Sequence, residues 1–137
     1  MPALTDIMNG EIAYTIETVA STGAHIRAGR LRGYGLSIAQ RSPSMPELPP
    51  LAEAAGLAGF DIGGWLGYCA PARTPREIVA RLGGEIVRIM QGSEMSERFI
   101  KAGLDPVAIG TDEGLAFIKR NIERYGQIAR AANIRID

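Results

Sequence analysis

Few residues in this chain are of a type that does covalent chemistry, and none stands in the spacing such chemistry needs. His25 is the only histidine and Cys69 the only cysteine among 137 residues. A Ser/His/acid triad has to use His25, yet no Gly-x-Ser-x-Gly elbow presents a serine nucleophile. His25 falls in a short polar stretch, where a solvated or capping imidazole is commoner than a ligand or general base. Cys69 lies between Tyr68 and Ala70 in an apolar run, the setting of a small buried hydrophobe rather than of an activated thiolate. A single cysteine also excludes an intramolecular disulfide and a cysteine-cluster metal site. Gly63, Gly64 and Gly67 have neither the spacing nor the strand-to-helix turn of a dinucleotide loop, and no P-loop occurs. These residues point away from an enzyme.

The elements that position them follow from periodicity. Pro2 to Gly10 carries Leu4, Ile7 and Met8 at helical spacing before an Asn9-Gly10 stop. Glu11 to Thr18 alternates Ile12, Tyr14 and Ile16 with polar residues, which predicts a strand. Ala20 to Ala28 reads as a short helix with Ile26 inward and Gly29 at its end, and Leu31 to Ile38 as a second strand loosened by Gly33 and Gly35. Pro43, Pro46, Pro49 and Pro50 exclude helix interior and central strand from Ser42 to Pro50, which predicts a surface loop. Leu51 to Ala55 forms a short helix closed by Gly56, and the apolar Phe60 to Ala70 reads as a strand.

Thr74-Pro75-Arg76-Glu77 has the form of a capping box with proline at the first helical position, so a helix is expected from Pro75. Ile78, Val79, Leu82, Ile86, Ile89 and Met90 form its apolar stripe. Ser93 caps a short helix ending at Gly103; after an extended Pro106 to Ile109, Thr111 caps a long terminal helix, and Ile134 to Asp137 is tail. Alternation in the first half predicts an α/β layered architecture, and the character turns helical near Gly67 to Thr74.

Composition bounds the rest. The length is that of one ordinary domain, and 46% apolar with 22% charged residues is a globular balance. Fifteen Lys and Arg against fifteen Asp and Glu leave no basic field of the kind that draws nucleic acid. No apolar run approaches the roughly 20 residues of a membrane span. The start Met1 to Asp6 has neither basic n-region nor h-region, so the chain as written carries no export signal.

Several stretches, taken in order, add up to more than any one of them. They are Pro2 to Ile12, His25 to Arg32, Arg41-Ser42-Pro43 with Pro46 to Pro49, Ala52 to Gly56, Trp65 to Pro71, Thr74 to Val79, and Ala129 to Ile134. Together they resemble the second half of the periplasmic solute-binding proteins of tripartite tricarboxylate transporters, the Bug family. The resemblance covers essentially the whole chain. It implies an α/β, type II-like periplasmic binding fold of two lobes, present here in part, with a helix-rich carboxy-terminal half. By the same resemblance residues 1–66 are the later part of the second lobe, 67–73 the inter-lobe crossover, and 74–137 the helical part of the first lobe. It implies a small carboxylate ligand, membrane permease subunits as partners, a periplasmic location, no enzyme activity, no cofactor and no metal. It also implies an amino-terminal half that this chain does not contain.

In the family the strand matching Ile12 to Ile16 ends in an acidic-polar pair facing the cleft; here that pair is Glu17 and Thr18, where members more often carry Asp and Asn. A carboxylate favours donors at strand ends and helix amino termini. Thr18, Ser21 and Thr22 occupy such a turn, although Ser21 as a plain helix cap is the simpler reading. Glu17 repels a carboxylate but accepts a ligand amine; otherwise it is a solvated strand-end charge. Trp65, the lone tryptophan, either lines the cleft or packs between lobes, and Arg73 and Arg76 read as solvated. The expected ligand set is therefore Glu17, Thr18, Ser21, Thr22 and Trp65. A competing expectation is a structural module that has lost transport and forms a homodimer through an exposed lobe interface.

Overall fold

In the computed structural model residues 2–134 are described; the remainder of the expected tail, 135–137, lies outside them. Six helices occur among the described residues: α1 (Pro2–Met8), α2 (Val19–Arg27), α3 (Leu51–Ala54), α4 (Arg76–Met90), α5 (Ser93–Lys101) and α6 (Thr111–Ala131). Each coincides with a helix expected from the sequence, by apolar spacing, a cap or a glycine stop. The end of α2 shows the mechanism: Gly29 takes φ 70° and the Arg30 amide donates back to the His25 carbonyl at 2.9 Å. Only a residue without Cβ adopts that turn at little cost.

The expected strands do not form among the described residues. A strand needs a hydrogen-bonded partner, and here the pairing stops after a single parallel bridge between Leu36 and Pro50. The Leu36 amide donates to Pro49 O at 2.9 Å and the Leu51 amide to Leu36 O at 2.7 Å. Pro49 has no N–H with which to extend the ladder toward Tyr34, and beyond Leu51 the chain turns into α3, the Glu53 amide donating to Pro50 O. On the far side the Ile62 amide reaches Ser37 O at 2.6 Å, and the Ala39 amide reaches Asp61 Oδ1 at 3.0 Å. The apolar face of the stretch read as the first strand stays in solvent, with Tyr14 76% and Ile16 86% exposed. Cys69 is likewise exposed rather than buried, because the coil that carries it enters no sheet.

Three local expectations are also corrected. The helix expected at Pro75 begins at Arg76 with Pro75 as its N-cap, and no side chain caps it. Thr74 lies in the turn before, its amide donating to Pro71 O at 2.9 Å, so the capping box is not made. Similarly Gly110, not Thr111, is the N-cap of α6. The proline-rich segment is not a surface loop but the most buried part of the chain: Met45 is fully buried, and Ser42 and Ser44 are buried beside it. Turn bonds from the Met45 amide to Ser42 O (3.2 Å) and from the Leu48 amide to Met45 O (3.1 Å) coil the segment around that side chain.

The chain forms two compact units. The first runs through Tyr68 and takes in Ser93–Pro106; the second comprises Cys69–Gly92 and the residues from Val107 onward. The first holds α1, α2, α3 and α5, with Leu4 and Met45 as its buried apolar residues. The second is built on α4 and α6, which meet where a Cβ on Gly83 would stand 2.8 Å from Thr111 Oγ1. Both its helices keep apolar positions in solvent, among them Ile78, Leu82 and Ile89 of α4 and Leu115 and Ile122 of α6. The accessible surface is 10591 Å² for 14.6 kDa.

Candidate functional site

The site expected from the sequence lies at the start of α2, in the first unit. Thr18 is the N-cap, with φ −73° and ψ 151°, and its side chain makes no bond to the first-turn amides. Its carbonyl instead gathers the turn. Ser21 Oγ donates to it at 2.8 Å and Thr22 Oγ1 at 2.9 Å, and the Ser21 and Thr22 amides both donate at 3.1 Å. Thr18 Oγ1 and Ser21 Oγ are 3.1 Å apart. Ser21 has spent its one proton on the carbonyl, so Thr18 is the donor of that pair. Ser21 is therefore not the cap of the helix. The three hydroxyls stand together, turned inward, with free lone pairs and with protons that re-aim by a single χ rotation.

Chemically this is a hydroxyl-lined turn at the positive end of a nine-residue helix, where the first amides lack intrahelical acceptors and the dipole favours an anion. Glu17 precedes it, half-buried. Trp65 is 45% exposed on the coil of the same unit, with its ring 3.7 Å from where a Cβ on Gly67 would sit. Arg73 and Arg76 are exposed, as expected of solvated charges. His25 departs from its expectation: its Nδ1 is buried with no hydrogen-bond partner among the described residues.

One cluster was missed from the sequence. Asp105 Oδ1 accepts from Ser42 Oγ at 2.8 Å and from the Ser44 amide at 3.1 Å, and the two serine hydroxyls are 2.8 Å apart. The Ser44 carbonyl accepts from the Arg27 guanidinium at 2.6 Å, and Arg27 also stands 3.5 Å from Glu47. Ser-x-Ser between prolines was the available signal, but nothing local links it to an aspartate some sixty positions away. Elsewhere in the first unit a shallow groove of about 200 Å³ is lined by Met95, Arg98, Phe99, Ala102 and Leu104. No group of three or more His, Cys, Asp or Glu side chains among the described residues is placed to hold a metal ion. Among the described residues no helix is long and apolar enough to cross a membrane.

Residues 1–134 match the family described as "Tripartite tricarboxylate transporter family receptor". Among curated relatives, the UPF0065 protein in the tcbD-tcbE intergenic region of Pseudomonas sp. strain P51 is 37% identical over 128 residues, 93% of this chain and 38% of that protein. The UPF0065 protein in the clcB-clcD intergenic region of Pseudomonas knackmussii is 30% identical, over 93% of this chain and 75% of that protein. Protein BugT of Bordetella pertussis is 30% identical, over 98% of this chain and 41% of that protein.

Among solved structures, R. palustris Rpa4515 with adipate superposes with a TM-score of 0.84 at 26% identity, over 96% of this chain and 44% of that one. The periplasmic binding protein BugD gives 0.80 at 24% identity, over 98% and 45%, a likeness of fold alone. MatC from Rhodopseudomonas palustris with bound malate gives 0.59 at 32% identity, over 74% and 34%. The chain thus carries part of a periplasmic binding protein fold, and it spans less than half the length of most of these proteins.

Proposed function

Because this chain belongs to the tripartite tricarboxylate transporter receptor family, we propose that it is a solute-binding component, not an enzyme, and that its ligand is a small carboxylate. The observation that carries this reading is the hydroxyl turn of Thr18, Ser21 and Thr22, gathered on one carbonyl at the start of α2. Rotating those hydroxyls outward presents three donors beside a helix amino terminus, an arrangement suited to a carboxylate. That structures of this fold carry adipate and malate supports the ligand class. Glu17 repels a carboxylate brought directly against it and so leaves the hydroxyls of the turn as the donors to the ligand, and Trp65 supplies an apolar wall.

The same reading makes residues 1–66 part of one lobe, 67–73 the crossover and 74–137 part of the other, with α5 packing back on the first unit. It places the protein in the periplasm as the partner of membrane permease subunits. One wall of a cleft binds weakly, so malate and adipate are expected to saturate this chain only at millimolar concentration, read from backbone amide shifts. Tight one-to-one binding by the monomer contradicts the one-walled site.

A second reading is favoured by the exposed surface. In the second unit Ile78, Leu82 and Ile89 of α4 and Leu115 and Ile122 of α6 are exposed, and large apolar side chains left in solvent favour burial against a partner. A zero net charge does not oppose self-association. On this reading the chain is a homodimeric interaction module without transport.

A further inference from the structure

We propose that the segment Gly103–Asp105, at the end of α5, is a brace that holds the ligand turn of α2 in position; as a statement about binding it rests on the reading above. Gly103 takes φ 78°, and a Cβ there would lie 2.7 Å from both Cα and N of Ala20 and 2.9 Å from the Val19 carbonyl carbon. These are backbone atoms, with no flexible side-chain end to yield. The end of α5 therefore seats on the first turn of α2, the turn whose hydroxyls converge on the Thr18 carbonyl.

Two residues on, Asp105 fixes the same segment to the proline-rich core. Its Oδ1 accepts the Ser42 hydroxyl and the Ser44 amide, both from buried serines. The Ser44 carbonyl in turn receives Arg27, in the last turn of α2. The contacts close a circuit: start of α2, Gly103, Asp105, Ser44, Arg27, end of α2. Both ends of a nine-residue helix are thus tied to one short segment, and a helix so short keeps its place by such ties rather than by propensity. Gly103 and Asp105 touch no hydroxyl of the turn; they are positioning residues.

The test is amide hydrogen exchange on the full chain with malate as the probe ligand, comparing wild type with Gly103→Ala, Asp105→Ala and Asp105→Asn. Both alanine variants should raise exchange at Ser21 and Thr22 about tenfold, Gly103→Ala by forcing the backbone of the first turn of α2 away and Asp105→Ala by removing the acceptor of the Ser42 and Ser44 bonds, while the amides of α6 stay unchanged. Asp105→Asn keeps an acceptor at the same place and should restore most of the protection. The malate midpoint should rise severalfold in the alanine variants and return toward wild type in the asparagine variant. Unchanged exchange at Ser21 and Thr22 in both alanine variants overturns the brace, as does an equal loss of protection in α6. If exchange changes as expected while malate moves no amide in the wild type, the brace stands and the carboxylate reading fails.

Discussion

Ser42, Ser44 and Asp105 are ordinary polar residues in the sequence, yet they bond to one another in the segment that carries Met45, fully buried among the described residues. Their role was hidden because polar, proline-rich composition reads as solvent-facing, and their bonds join positions about sixty residues apart. The hydroxyls of the candidate site were legible for the opposite reason: Thr18, Ser21 and Thr22 are local, and spacings of three and four residues bring side chains to one carbonyl on any helix. Cys69 is the sharpest residue-scale reversal. Its apolar neighbours predict burial, whereas the structure exposes it. The native protein should therefore react with a thiol reagent such as Ellman's at a rate within a few-fold of a free cysteine; protection until denaturant is added would contradict the exposed coil.

At the scale of elements, every helix of the described residues was readable and no strand was realised among them. A helix satisfies its own backbone, so the 3.6-residue period of α4 and α6 and the glycine stops of α2 and α5 suffice to place them. A strand borrows its hydrogen bonds from another segment. The alternation of Ile12, Tyr14 and Ile16 records a capacity for pairing, and the partner is absent from the described residues. The capping signal before α4 failed by a single position, since Pro75 takes the N-cap conformation itself and leaves Thr74 outside. Thr74→Ala should accordingly change stability by less than about 0.5 kcal/mol in urea denaturation, where loss of a working hydroxyl cap costs about 1 kcal/mol. A loss of that larger size would restore the capping box.

For the whole molecule the governing quantity is exposed apolar surface. Among the described residues Leu4 and Met45 are the buried hydrophobic side chains, while large apolar residues of α4, α6 and the strand-forming stretches remain in solvent. Exposed apolar side chains in both units favour association. Multi-angle light scattering at about 100 μM should give a mass well above 14.6 kDa, near twice that value if the homodimeric reading holds; a sharp monomer at that concentration would contradict self-association.

The central claim is that the amino terminus of α2 receives a carboxylate, and a titration followed by backbone amide resonances tests it most directly. With malate and then adipate, shifts should concentrate at residues 17–22, saturate in the millimolar range, and vanish with the corresponding diamides, which keep the shape but lose the charge. No shift at these residues, or shifts centred elsewhere in the chain, would contradict it.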